Sequence, residues 1–526
     1  MKGVFAMFRP LLPYGMCAMA AAFLAYLLTR PLDYSTAIEL ALMATLLIFP
    51  LLLRWHYPLL LLSVLLPVNL FFIKGQPILW MVMVPLSLGI VAVERAIKGR
   101  SRLVYVPQIV FPLAVLSSVV IITAELTGGM GFHALGSDIF GGKKYALLFS
   151  GILIYFALTS RPIPPEKARL YTTLFLLGSL PSFISDLVTI MPGAFQYIYL
   201  FIPASGSNID EMGNYSNLSL GVSRMGGLGT AALAVYFWML CRHGVRGIFL
   251  AQKPWRIFWF FVTFVLIGMG GFRSSIMEAL LIFALLFFLE RLHHTPLVFV
   301  FSLGGLLSMT MMLPFASKLP FVLQRSLAFL PLPLNPEAIA SAQASSEWRV
   351  QLWTSLLQEV PRHLLLGKGF AIPVETFNEM MASDLANAFQ VNASQQSLAL
   401  AGDYHNGPLS VIIPFGLWGV LAFVWFLAAS ITVLYRNYKF GEPANLLLNR
   451  FLFCLFLVKV VIFLTVFGAL QDDIGVFASY IGFSIAINHG ACNGHTADQA
   501  AKAAGRHIIF AGKRPTRPPQ LLPFNS

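Results

Sequence analysis

The sequence predicts an all-α polytopic membrane protein, and three observations carry that prediction. Of its 526 residues, 58% are hydrophobic and only 11% are charged, with a mean hydropathy of +0.77. That leaves too little polar surface to cover a water-soluble globule of this size. Apolar runs of roughly 17–22 residues recur along most of the chain, each long enough to cross ~30 Å of hydrocarbon as a helix. The alternation over about 10 residues that marks the strands of a membrane barrel does not occur. The formal charge of +13 does not indicate nucleic acid, because the basic residues fall between apolar runs and the aromatic ones inside them, a placement that topology explains. Cys17, Cys241, Cys454 and Cys492 form no CxxC pair, so neither a disulfide framework nor a zinc site is indicated.

The first span, 11–28, follows the basic start MKGVFAMFRP. With no small-residue cleavage site there, it is read as a retained helix. Further spans are expected over 36–53, 58–73, 77–94, 105–124, 145–160, 168–190, 225–241, 257–272, 275–290, 296–314, 407–435, 449–468 and 474–488, about fourteen helices in all. With a cytoplasmic N-terminus, roughly two dozen Lys and Arg face the cytoplasm and about eleven the other side. RAIKGRSR (95–102), RPIPPEKAR (161–169), CRHGVRG (241–247) and the tail from His489 then lie inside.

Outside lie 125–144, 191–223 and a long stretch over 315–406, which is too long for an ordinary connection and is therefore a functional suspect. Within it, SSEWRVQLWTSLLQEVPRHLLLGKGF (345–370) sets Trp348, Leu352, Leu356 and Val360 at helical spacing. This predicts an amphipathic helix that begins at Ser346/Glu347 and is bounded by Pro361 and Gly367, its apolar face resting on the bundle or the lipid interface. The chain thus divides into N-terminal helices (1–220), a central region (221–435) containing the long loop, C-terminal helices (436–490) and a basic cytoplasmic tail (491–526), of which 502–526 is expected to be disordered.

Polar residues at the expected outer face are the candidates for chemistry. In GDYHNGPLSVIIPFGLWG (402–419), His405 stands at the mouth of a helix that Asn406 can cap and Pro408 can begin. The helix dipole there opposes protonation of the imidazole and attracts anions, which suits a general base beside a phosphate; the competing reading is a plain capping cluster. Arg273, in GGFRSS, lies between two apolar runs with almost no loop, where a guanidinium can snorkel, pair with a carboxylate such as Glu278, or grip an anion. Arg224 begins another helix beside Gly226, Gly227 and Gly229, which allow close backbone approach.

Two arginines and a histidine on one face match the needs of a diphosphate leaving group and an acceptor hydroxyl. Arg349 and Lys368 extend the basic surface or are solvated, and Asp403 either orients His405 or is an ordinary loop carboxylate. Asp210/Glu211 and Asp472/Asp473 are adjacent acidic pairs for which a solvated turn is favoured over metal coordination, so neither a metal nor a cofactor is expected. Lys459, in mid-helix, is either an ion-pathway residue or the partner of an intramembrane carboxylate.

With these residues in view, the chain resembles the O-antigen ligase and polymerase superfamily of bacterial envelope glycosyltransferases. The ligase signature is His, then Asn, Ser or Gln, nine residues, Gly, two residues, and Gly, Thr or Tyr; His405-Asn406, GPLSVIIPF, Gly416 and Gly419 satisfy it. RMGGLG from Arg224 and GGFRSS at Arg273 resemble the family's two helix-start arginines, and Arg349, Trp353, Pro361 and LLGKGF (365–370) are similar in order and spacing to its loop segment. Many members carry Asn-Pro-Asn shortly after the first arginine, where this chain has GLGTAA.

The resemblance covers about 220–435 and implies a C-type, metal-independent, inverting glycosyltransferase of the bacterial inner membrane. Its donor would be an undecaprenyl-diphosphate-linked glycan at the periplasmic face. His405 would deprotonate the acceptor hydroxyl; Arg273 and Arg224 would hold the diphosphate, with Asn406, Arg349, Asp403 and Lys368 around the substrate. The acceptor is a glycolipid (lipid A-core) in a ligase, a second lipid-linked glycan in a polymerase, or a protein hydroxyl in a related member; the complete signature favours the ligase. From a different class, a transporter or lipid flippase would place its polar residues near the midplane on broken helices, where only Lys459 fits.

Overall fold

A computed structural model of the chain describes residues 25–26, 53–73, 75–98, 103–132, 136–204, 225–379 and 402–493. The expected spans 11–28 and 36–53 lie almost wholly outside these, as do Arg224, Asp210, Glu211 and most of the tail. The chain divides into two units, 1–59 and 60–526, and all packing described below is within the second.

The described residues are mostly helical, as an all-α membrane protein requires. In chain order they form α1 (Leu79–Lys98), α2 (Pro107–Leu126), β1 (Ile139–Phe140), α3 (Gly142–Thr159), α4 (Pro165–Leu176), α5 (Phe183–Thr189) and α6 (Gly226–Phe249). There follow α7 (Pro254–Met269), α8 (Arg273–Leu289), α9 (Leu297–Met312), α10 (Phe321–Ser326), α11 (Pro336–Leu357), α12 (Val360–His363), β2 (Ile372–Pro373), α13 (Gly407–Phe440), α14 (Leu446–Thr465) and α15 (Leu470–Asn488). Prolines open many of them: Pro107, Pro165, Pro254 and Pro336 stand in first turns, where the missing N–H has no intrahelical partner to lose.

Among the described residues, six segments are long and apolar enough to cross a membrane: Leu79–Ile97, Pro107–Leu126, Pro165–Thr189, Leu297–Lys318, Gly407–Phe440 and Pro443–Thr465. α15 packs along α3, and α13 packs on both α2 and α14. α9 has no buried residue, which in so apolar a helix is the signature of a lipid-facing position.

Several boundaries differ from the sequence expectation, each for a local reason. The span expected over 168–190 is interrupted by a 3-10 turn at Leu180–Ser182, between α4 and α5, where Gly178 and Pro181 weaken the helix. The span expected over 58–73 ends at 63, and Asn69 pairs with Ile78 instead in an isolated antiparallel bridge. α6 continues through CRHGVRG, broken only at Gly244 (φ 63°, ψ 175°). Its final turns are capped by the buried Glu290 carboxylate, which accepts from the Val245 and Arg246 backbone N–H at 3.0 and 2.8 Å. The long outer stretch is not unstructured: its main helix begins ten residues earlier than expected, at Asn335-Pro336, with the Asn335 side chain accepting from Glu337 N. β1 and β2 form a two-residue antiparallel ribbon, Ile139 opposite Pro373 and Phe140 opposite Ile372, tying that stretch to the start of α3.

Candidate functional site

The turn 402–406 enters α13 through two left-handed residues, Gly402 at φ 76° and His405 at φ 49°. Histidine is among the non-glycine residues that adopt this region, at a cost of about 1–2 kcal/mol. Asn406 then returns to extended backbone (φ −147°, ψ 117°), and its Oδ1 accepts from Leu409 N at 3.0 Å, with Pro408 in the first turn. The His405 ring is held between two aromatic rings, Trp348 of α11 at 5.8 Å and Phe467 at 5.2 Å between centroids. Asp403 is paired with Lys144 of α3 at 3.1 Å. Tyr404 is fully buried, and that burial pushes its hydroxyl above the ordinary tyrosine range.

α13 does not run straight. At Gly416 (φ 61°, ψ −161°) the helix breaks two residues after Pro414, and the freed backbone groups are taken up by the loop leaving α12. Lys368 N donates to Ile413 O at 2.9 Å, Gly369 N to Pro414 O at 3.0 Å, and Leu417 N to Leu364 O at 2.7 Å. Pro414 precedes the break, and what approaches Gly416 is the backbone of this loop, at Leu364 and Leu365. LLGKGF is held from its other side as well: Thr123 Oγ1 donates to Leu366 O, and Phe370 N donates to the Tyr145 hydroxyl at 2.9 Å.

α11 lies over this assembly. Its apolar stripe rests on the bundle: Leu352 and Leu356 are buried against Tyr404, Leu409 and Ile413, with Trp348, Trp353 and Val360 packed alongside. Arg273, the first residue of α8, reaches the same helix from the other side, its Nη2 donating to Ala342 O at 3.2 Å and Ser346 Oγ at 3.1 Å. Among the described residues these bonds engage Nη2, and the guanidinium carries Nε and Nη1 donors besides. Arg273 and Ser346 line a cavity of about 250 Å³ together with Phe329, Ile339, Gln343 and Glu347; His405 is not part of its lining.

At about 100° per residue, the Ala342/Ser346 edge and Trp348 lie about 140° apart around α11, with Arg349 between them on the side that carries the buried leucines. Arg273 and His405 therefore meet α11 at different edges of two successive turns, and Arg349 falls between them in angle, in the sector of the buried leucines.

The remaining candidates are more ordinary. Lys368 is paired with Glu359 at 3.2 Å; loss of solvent and the Lys368 charge hold the nearby His363 imidazole below its usual range. Lys459 pairs with Asp473 at 2.9 Å, the second of the readings open to it in the sequence. Asp473 also accepts from Ala469 N at 2.9 Å and so caps α15. Arg224 lies outside the described residues. The helix that follows it packs Gly229 against Gly270, where a Cβ on Gly229 would stand 2.7 Å from the Gly270 Cα. α6 thus starts beside the turn that presents Arg273.

Sequence reasoning gave no role to Phe467 or Lys144, read Ser346 only as a helix start, and placed Trp348 only on the apolar stripe. Phe467 and Lys144 carry no local signal, since they meet His405 and Asp403 only through the fold, whereas Asn335-Pro336-Glu337 was a legible helix start that would have brought the Arg273 contacts into α11. Among known proteins, no family model matches the chain and no curated protein is significantly similar to it.

Proposed function

We propose that the chain is a membrane glycosyltransferase that moves an undecaprenyl-diphosphate-linked glycan onto an acceptor hydroxyl at the periplasmic face of a bacterial inner membrane, acting as an O-antigen ligase. The observation that carries this reading is that one helix, α11, touches both candidates: it accepts two hydrogen bonds from Arg273, its Trp348 ring lies against His405, and it carries Arg349. A diphosphate needs about two positive partners and a hydroxyl nucleophile needs a base, and in this reading Arg273 and Arg349 are the first and His405 the second.

In the reaction, the acceptor oxygen bonds to the anomeric carbon as the bond from that carbon to the diphosphate oxygen breaks. The acceptor proton passes to His405. The electron pair of the broken bond stays on the diphosphate, which Arg273 and Arg349 stabilise with Arg224 as a third partner, and attack opposite the leaving group inverts the anomeric centre. The ring contacts of Trp348 and Phe467 fix the imidazole plane. Lys459, the one sequence feature that favoured transport, is engaged by Asp473, which supports the transferase reading over the transporter.

Purified full-length protein, assayed with a lipid-linked glycan donor and acceptor glycolipid, is the test. His405→Ala is expected to lower turnover by ~10²–10⁴ while the protein elutes as wild type; full activity of that variant would remove the base from the mechanism. The choice of acceptor separates in cells. Loss of a ligase leaves long polymer on the lipid carrier and bare acceptor, whereas loss of a polymerase leaves acceptor capped by a single repeat unit.

A further inference from the structure

At the end of the bundle remote from His405, the helices enclose a second polar cavity, of about 290 Å³. α13 carries the chain up to ~50 Å away from the site, at 1.5 Å per residue over its 34 residues. The cavity lies between α4, α6 and the start of α14, and its polar lining includes Arg169, Thr172, Arg242, His243 and Asn445. It draws on RPIPPEKAR, CRHGVRG and the turn before α14, three segments that the distribution of charge assigns to one membrane face. No carboxylate lines it. The nearby Glu290 is consumed by the Val245 and Arg246 backbone N–H and by Arg450 at 3.6 Å.

The Arg242 guanidinium lies over the Trp238 ring, 5.2 Å from its centroid. That contact uses the flat face of the cation and keeps its N–H edge available. Loss of solvent first, and then the charges of Arg256, Arg242 and Lys253, push the His243 imidazole down to about 4. His243 is therefore neutral at pH 7 and can donate or accept a hydrogen bond without adding charge. Both arginines are exposed, and no carboxylate is among the described residues of the lining, although Glu166 stands three residues before Arg169 on α4. The volume is at the small end of ligand pockets, ~300–1,000 Å³, enough for a headgroup and too small for a nucleotide.

We propose that this cavity binds a phosphate-bearing anion, supplied by the headgroup of an anionic phospholipid or by soluble phosphate. Arg169 and Arg242 grip the phosphate oxygens in their planar forks and His243 completes the shell. Leu447 and Leu448 at the rim offer the apolar contact that a lipid, but not free phosphate, would use. A basic recess between helix ends at the inner face is the geometry in which lipid headgroups are held.

The experiment uses the full chain in detergent, with native mass spectrometry to count retained lipid and thermal stability to report binding. The probes are phosphatidylglycerol, phosphatidylcholine and inorganic phosphate. Wild type is expected to retain phosphatidylglycerol in preference to phosphatidylcholine, and Arg169→Gln/Arg242→Gln to lose roughly 10- to 30-fold in that affinity. Arg169→Lys/Arg242→Lys, which keeps the charges, recovers most of the retention and separates anion binding from misfolding. Stabilisation by inorganic phosphate without lipid retention, abolished by the glutamine pair, assigns the site to a soluble phosphate and upholds it. Equal phosphatidylglycerol retention and equal phosphate response in wild type and the glutamine pair overturn the proposal.

Discussion

Replacing Gly416 by alanine tests whether the break in α13 is what holds the long outer stretch in place. The residue sits at φ 61°, ψ −161°, a region that is essentially glycine-only and costs another residue ~1–3 kcal/mol. Space compounds the strain: a Cβ there would lie 2.6 Å from Leu365 O, 2.7 Å from Leu365 C and 2.9 Å from Leu364 O. All three are backbone atoms, so no side chain can swing aside. The loop must retreat, and with it go the bonds of Lys368 N, Gly369 N and Leu417 N across the break, each worth ~0.5–1.5 kcal/mol. Strain plus two or three lost bonds amounts to ~3–6 kcal/mol, a large share of the ~5–15 kcal/mol that holds a typical fold.

The control is Gly304→Ala on α9, the same chemical change where the new methyl meets nothing within 4 Å. Heating detergent-solubilised protein and measuring the fraction that still elutes as a monodisperse peak should show Gly416→Ala aggregating several degrees below wild type and Gly304→Ala unchanged. Coincident curves for Gly416→Ala and wild type would refute the interlock.

Two further outcomes are expected. Arg273→Lys should impair transfer even though the charge is kept, because an ammonium cannot bond Ala342 O and Ser346 Oγ through one nitrogen while presenting a planar pair of donors to a diphosphate; kcat at saturating donor is the readout, and wild-type kcat in Arg273→Lys would exclude the fork. His243 titrates at about 4 in the folded protein against an ordinary 6.5, so the unfolded chain binds the extra proton between those values. Its contribution to stability is intact above about 6.5 and declines as pH falls towards about 4. His243→Asn should flatten that part of the stability profile relative to wild type, and parallel profiles would show that His243 does not titrate there.

What the sequence revealed and what it concealed divide by range. The Asn406 cap, the Pro408 start and the apolar stripe of Trp348, Leu352 and Leu356 are local patterns with period and spacing, and the structure realises each of them. The bend at Pro414 was legible for the same reason. The partner that fills the bend was not, because it comes from residues 364–369, some fifty positions away with no complementary pattern. Lys144 and Asp403 are 259 residues apart, and Glu290 caps backbone 45 residues before it; nothing in one sequence pairs them. The late start assigned to α11 was a different kind of miss: Asn335-Pro336-Glu337 is a complete capping signal, passed over because the apolar period becomes regular only at Trp348.

The contacts also sort the residues that drew attention to this region. Gly416 and Gly367 are demanded by packing: a Cβ on Gly367 would stand 2.2 Å from Pro414 O, and LLGKGF is satisfied on both sides by backbone and by Tyr145. Pro414 and Asn406 serve the helix. A recurrent pattern built from such residues marks a shape and would persist in a protein that did no chemistry. His405 and Arg273 differ in kind. The turn into α13 needs a cap, which Asn406 supplies, while the left-handed His405 beside it contacts the Trp348 and Phe467 rings. α11 rests on its leucines, and Arg273 adds two hydrogen bonds to it through Nη2. Strain accepted at a residue that is not the cap is where a functional role is worth testing, and His405 is such a residue.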